Sequence, residues 1–277
     1  MTSPPPFQET SYGVVKRLVV VDRWVSETAR RLGKPALQIL DYGCGTGDHL
    51  TAPLAREGHI VVGVDLHQPS IAVARARHQL PNLTFQRADL EALARERRLF
   101  DLIVCSEVLE HIENPGSFLR ALASILQPKG TLILTTPNGF GSYEWLSSLE
   151  RLLRRSGVHS ALRSAFWGLR KVARRLRGLS PPPRPLHGIT EVEMGFLNID
   201  SGHVQFFSAR RLKRLFTGAG FVVLERRART LLCGPYVDVL LALMPARSRW
   251  YRWNNVVADR LPFACAADWM FLLERAE

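Results

Sequence analysis

Apolar and polar positions follow two rhythms in the first half of the chain. Val14, Leu18, Val21 and Val25 recur at helical spacing, so residues 11–33 are expected to form a helix that Gly33-Lys34-Pro35 ends. A short apolar run at 36–40 then predicts a strand. A helix is expected at 51–57, stopping at Gly58, and a second strand at 60–64, closed by Asp65. Ser70 is positioned to cap a helix over 71–79. Further strands are expected at 83–86, 100–105 and 130–135, with a helix at 115–126 before the last of these. Strands that alternate with helices throughout predict an α/β domain: a mostly parallel sheet covered on both faces.

The rhythm changes after Pro137-Asn138. Residues 143–177 predict one or two helices, with Leu149, Leu152, Leu153, Phe166, Leu169, Val172 and Leu176 on one side and arginines on the other. Residues 179–188 hold four prolines and read as a stiff linker. A helix over 208–219 with Ser208 as its cap, a strand at 221–225, a largely helical, aromatic-rich stretch at 231–261 and a strand at 269–274 complete the pattern. The expected organisation is a ligand-binding part at 1–140, a basic amphipathic insertion or lid at 141–201, and C-terminal strands with a helical insertion at 202–277.

Composition narrows the class. The chain has 277 residues, 46% hydrophobic and 22% charged, which is globular rather than disordered material. Cys44, Cys105, Cys233 and Cys265 are widely spaced, which argues against a zinc ribbon, a thioredoxin-type site and a disulfide scaffold. The first residues, Met1-Thr2-Ser3-Pro4-Pro5-Pro6, lack the basic and apolar segments of a signal peptide, and no run reaches 18 apolar residues. A cytoplasmic protein is therefore expected.

The net charge of +12 is uneven. Residues 1–140 carry 15 Lys+Arg against 14 Asp+Glu, whereas 141–277 carry 22 against 11. The second half is expected to meet something anionic. Nine basic residues and no acid fall within 151–177. A basic, leucine-rich helix with Trp145 and Trp167 suits an anionic membrane surface, which would place the protein peripherally on a membrane's inner face. RNA is the less favoured partner, because stacking aromatics are expected on strands or loops.

Chemistry concentrates at Asp41-Tyr42-Gly43-Cys44-Gly45-Thr46-Gly47-Asp48, which follows a predicted strand and precedes a predicted helix. Glycines there allow a tight turn and a close approach to a ligand, and the following helix N-terminus offers N–H groups. Asp65, 18 residues beyond Gly47, can accept from both hydroxyls of a ribose. Asp89 can meet an adenine amino group. Each acid can equally cap a helix or turn, but their recurrence at successive strand ends points to a nucleoside site.

These residues resemble the class I S-adenosylmethionine-dependent methyltransferases. Residues 41–47 are similar to that family's first motif, Val64-Asp65 to its ribose acid and Ala88-Asp89-Leu90 to its adenine motif. Residues 100–111, 126–130, 202–208 and 218–221 are similar to its later segments. The resemblance implies a seven-stranded Rossmann-like sheet whose late pair contains one antiparallel strand. It also implies that S-adenosyl-L-methionine is the cofactor, with Gly43, Gly45 and Gly47 at its amino-acid part, Asp65 and Leu66 at the ribose, and Asp89 and Leu90 at the adenine. Ser106 would lie near the methyl group, and Asp41 would fix the loop from below.

Glu107, Glu110 and His111 follow the fourth strand at i, i+3 and i+4, a spacing that puts all three on one face if the turn is helical. Three roles stay open: capping and packing, general acid–base catalysis by His111 with Glu110, or binding of a divalent ion such as Mg2+ by Glu107, Glu110 and His111. The E-x-x-E-H spacing is similar to that of ubiquinone-biosynthesis O-methyltransferases and small-RNA 2′-O-methyltransferases, and in the latter resemblance His203 becomes a further candidate. The acceptor is expected to be a small molecule or a lipid-linked compound. An RNA 2′-hydroxyl and a non-catalytic, cofactor-binding scaffold remain alternatives.

Overall fold

The computed structural model describes residues 9, 12–155, 203–234, 237 and 247–276. The elements in chain order are α1 (Val14–Leu32), β1 (Gln38–Tyr42), α2 (Thr51–Arg56), β2 (Ile60–Asp65), α3 (Gln68–Arg77), β3 (Leu83–Arg87), α4 (Leu90–Arg95), β4 (Phe100–Ser106), α5 (Pro115–Ser124), β5 (Leu126–Pro137), α6 (Ser142–Arg155), α7 (Ala209–Gly218), β6 (Phe221–Ala228), α8 (Arg247–Arg260) and β7 (Asp268–Arg275). Short 3₁₀ turns occupy Leu109–His111 and Phe263–Cys265.

The seven strands form one sheet in the order β3-β2-β1-β4-β5-β7-β6. Strands β1 to β5 pair in parallel, and β7 runs antiparallel to both β5 and β6. The expected late pair with one antiparallel strand is present.

Two apolar layers sandwich this sheet. On one face Leu18, Val21, Trp24 and Val25 of α1, Leu54 of α2 and Ile71 of α3 pack on Ile39, Val61, Leu102 and Ile133. On the other, Leu93, Phe118, Leu119, Leu122, Leu212 and Phe216 pack on Leu40, Ile103, Leu132 and Phe271. Neighbouring positions of one strand thus supply opposite layers, which is why these strands read as unbroken apolar runs.

The structure corrects two expectations. The third helix starts at Gln68 with His67 as its N-cap, not at residue 71 with Ser70 capping it. Pro69, whose fixed φ suits a first helical turn, pulls the start forward, and Ser70 bonds His67 Nδ1 at 2.9 Å from inside the helix. Of the helical stretch expected over 231–261, residues 231–234 instead form a bend that the side chain of Asn254 bridges by hydrogen bonds to Leu231 and Leu232; Val237 and Arg247–Arg260 are helical, and 235–236 and 238–246 lie outside the described residues. Of the helices expected over 143–177, α6 covers Ser142–Arg155; residues 156–177 and the linker expected at 179–188 lie outside the described residues. Ser208 caps α7 as expected, accepting from Arg211 N.

Candidate active site

The strand order reverses between β1 and β4, and in open α/β sheets ligands bind in the crevice beyond the strand ends at such a point. Registers bring Tyr42 beside Val64 and Cys105, and Ser106 beside Thr135. The glycine loop, Asp65 and Ser106 therefore share one edge of the sheet.

The loop is shaped by its own packing. Gly43, Gly45 and Gly47 all have positive φ, a region that side chains rarely adopt. A Cβ on Gly43 would fall 2.3 Å from Val108, and one on Gly47 would fall 2.6 Å from Phe85. Both Gly43 N and Cys44 N donate to Val64 O, tying the loop to β2.

Asp41 lies beneath, buried, and accepts from Thr51 Oγ1 at 2.6 Å, so it links the start of the loop to the helix after it. Burial raises its pKa to about 6. Asp65 accepts from Gly45 N at 2.9 Å through one carboxylate oxygen and from His67 N at 2.8 Å through the other. Each oxygen keeps a further lone pair.

Leu66 beside it is 58% exposed, a large apolar side chain left at the crevice. Leu90 is buried in the core, and Asp89 N-caps α4 by accepting from Ala92 N at 2.7 Å. The capping role of Asp89 is therefore present, and its side chain remains exposed at the strand end.

The residues after β4 do not form a regular helical face. Glu107 has φ 58°, and a 3₁₀ turn follows at Leu109–His111. Glu107 consequently departs from Glu110 and His111, contrary to the spacing argument. Its carboxylate accepts from Arg229 Nη1 at 3.0 Å and from Thr135 Oγ1 at 2.5 Å.

A partly buried chain of polar groups results. Arg17 Nη1 donates to Ser106 Oγ at 2.9 Å, Ser106 Oγ lies 2.8 Å from Thr135 Oγ1, and Arg229 also pairs with Asp268 at 2.5 Å. With Thr135 donating to Glu107, the Ser106 hydroxyl donates to Thr135, so every donor in the chain points towards the carboxylate. Burial lowers the Arg17 pKa to about 10, with the nearby charge of Arg229 adding to the effect. Burial opposes ionisation of Glu107 too, but Arg229 and Arg17 outweigh it and hold its carboxyl below the usual range.

The acid that joins His111 is instead Glu110, and His203 completes the group. One ligand atom from each of Glu110, His111 and His203 lies within 4.8 Å of the others. Glu110 is only 2% exposed and accepts from Thr136 Oγ1 at 3.2 Å. Burial, reinforced by the charge of Glu107, pushes its pKa well above the usual carboxylate range. Backbone bonds seat the distant histidine: Val204 N and Gln205 N both donate to Glu110 O at 3.0 Å. The His111 and His203 rings meet edge to face at 5.2 Å.

Arg17 and Arg229 are site residues that the sequence argument did not select. Arg17 had a signal: it falls on the apolar stripe of α1, where an arginine is buried and needs a partner. Arg229 had none.

Fold and site together define a methyltransferase. Residues 16–226 match the family described as a methyltransferase domain, and the chain belongs to that family. It is 39% identical over 102 residues to a ubiquinone biosynthesis O-methyltransferase of Coxiella burnetii, a stretch covering 36% of this chain and 43% of that protein. The chain thus spans under half the length of that relative.

The putative sarcosine dimethylglycine methyltransferase of Galdieria sulphuraria shares the fold at a TM-score of 0.54 and 13% identity, over 95% of this chain and 88% of the other. The magnesium protoporphyrin IX methyltransferase of Synechocystis PCC 6803, solved with bound SAH, does so at 0.50 and 17%, over 95% and 86%.

Proposed function

We propose that this protein transfers a methyl group from S-adenosylmethionine to a hydroxyl of a hydrophobic, lipid-linked acceptor. The observation that carries the reading is the convergence of Glu110, His111 and His203 just beyond β4, on the sheet edge that also presents Asp65.

The residues fit the cofactor. A nucleoside needs acceptors for its two ribose hydroxyls, and the Asp65 carboxylate, steadied by two backbone N–H groups, offers both oxygens. Exposed Leu66 supplies apolar contact beside it, and exposed Asp89 an acceptor for an amino group. Buried Arg17, next to Ser106, supplies positive charge for a carboxylate. When bound, S-adenosylmethionine supplies the methyl group as an activated sulfonium. The protein's own task is to orient the acceptor oxygen and to take up its proton. His111, half-buried beside the Glu110 carboxylate at 3.9 Å, is placed to accept that proton.

A second reading is favoured by the clustering itself. Glu110, His111 and His203 would hold a divalent cation, which would acidify the acceptor hydroxyl. A buried carboxylate that resists ionisation is relieved by a bound cation. Two imidazole nitrogens favour Mn2+, Co2+ or Zn2+ over Mg2+, which prefers oxygen ligands. Glu107, occupied by Arg229, is not among these ligands.

The surface supports the acceptor class. Among the described residues, no helix is long and apolar enough to cross a membrane. Helix α8 turns Trp250, Trp253 and Val256 outward among exposed Arg249, Arg252 and Arg260, and α6 exposes Trp145, Leu149 and Leu152. Tryptophan with arginine on a helix face suits the interface of an anionic bilayer.

The test supplies the purified protein with methyl-labelled S-adenosylmethionine and either a prenylated catechol in anionic vesicles or a short RNA. Label in the lipid extract supports the reading. Label in the RNA, or none in either, overturns it.

A further inference from the structure

Glu144 takes no part in the reading so far. It stands in the first turn of α6, buried, with Oε1 2.5 Å from Nδ1 of His203. An ionised carboxylate can only accept, so Nδ1 carries the hydrogen and Nε2 is left with the lone pair of the ring. Little else in the environment of this histidine is adjustable. Its neighbours Val204 and Gln205 are bonded to Glu110 O, and Gln205 Nε2 also donates to Glu113 O at 3.1 Å. The ring of Tyr143 lies 5.4 Å away and that of His111 5.2 Å away. The backbone thus sets where His203 stands, while the choice of tautomer falls to Glu144.

We propose that Glu144 is a positioning residue that holds His203 as the Nδ1–H tautomer, so that Nε2 serves as donor to a cation shared with Glu110 and His111. This rests on the cation reading above. A carboxylate behind a ligating imidazole fixes the ring and raises its basicity, and removing such a partner weakens metal affinity about 10–100-fold.

Two measurements on the full-length protein test it: ring nitrogen NMR for the His203 tautomer, and Co2+ titration followed by visible absorption. Wild type is expected to show Nδ1–H at His203 and to bind Co2+. Glu144→Ala should shift His203 towards Nε2–H and weaken Co2+ about 10–100-fold, leaving S-adenosylhomocysteine affinity unchanged. Glu144→Gln, whose amide oxygen still accepts from Nδ1–H, should keep the tautomer and bind Co2+ with intermediate affinity.

An Nε2–H tautomer in wild type overturns the proposal. So does a Glu144→Ala protein with wild-type Co2+ affinity when His203→Ala has lost it; the cation reading then survives. Wild type that binds no Co2+ ends the cation reading and the role of Glu144 with it.

Discussion

The guanidinium of Arg229, one residue beyond β6, lies 3.0 Å from the carboxylate of Glu107, one residue beyond β4, and bonds Asp268 with its other nitrogens. Arg229 and Asp268 are buried, with no water to fall back on, while Glu107 stays partly exposed. Burial opposes the charge of Arg229, but the two carboxylates outweigh it and raise its pKa. Arg229→Met would strand the buried carboxylate of Asp268 and leave Glu107 without its cation. Unfolding in urea should show a loss of about 3–5 kcal/mol, and a loss under about 1 kcal/mol would mean that the pairing does not organise the site.

Asp65→Ala removes the acceptor assigned to the ribose and the anchor of Gly45 N and His67 N. Hydrogen bonds to a charged group are worth about 1.5–3 kcal/mol each, so S-adenosylhomocysteine should bind at least about 100-fold more weakly in a calorimetric titration. Near-normal affinity would sink the ribose assignment.

His111→Ala tests the chemistry apart from binding. Methyl transfer should fall by about 10²–10⁴, the usual range for losing a general base, while S-adenosylhomocysteine affinity stays within about twofold. Under the cation reading, a chelator lowers wild-type turnover similarly and added Mn2+ restores it. Indifference to chelation, together with the loss in His111→Ala, leaves the base reading alone.

Asp41 gives the fold a pH dependence of definite sign. Burial raises its pKa from 3.8 to about 6, so the folded chain binds this proton more tightly than the unfolded chain does. The resulting stability is complete below about pH 4 and lost as pH rises through about 6, a change of roughly 3 kcal/mol. In Asp41→Asn the amide oxygen still accepts from Thr51. This variant should lose that slope and gain on wild type between pH 4 and 7 in urea unfolding. Parallel stability curves would contradict the assignment.

Arg249 and Arg252 flank the exposed tryptophans of α8. Basic residues near an anionic surface contribute about 1 kcal/mol each, so replacing both with serine should weaken binding to anionic vesicles about thirtyfold. Equal flotation of wild type and variant would remove α8 from the contact.

Much of the fold was legible because it is written locally. Apolar runs mark β1, β2, β4 and β5, with Asp41 and Asp65 closing the first two, and the Gly43–Gly47 loop sits where a strand meets a helix. The cap at Ser208 follows from one side chain and its next turn. At the candidate site the sequence offered Glu110, His111 and His203 as separate candidates but not their grouping. The group around His111 depends on His203, which is 92 positions away and is seated by backbone bonds that leave no mark in side-chain pattern. The face shared by Glu107, Glu110 and His111 assumed a regular helix, and the left-handed Glu107 and the 3₁₀ turn break it. Arg229 and Glu107 are 122 positions apart, and neither stands in a periodic pattern that would pair them.

The strand formed by 268–275 is made after β6 yet lies between β5 and β6. During synthesis β6 therefore has no neighbour in the sheet until the chain has grown past residue 275, and Arg229 waits with it for Asp268. A ribosome-bound chain can assemble the nucleotide-facing strands early, because each pairs with a strand already made. The pairing of Arg229 with Asp268 therefore closes last, and the edge formed by β6 and β7 is the final part of the sheet that the growing chain can complete.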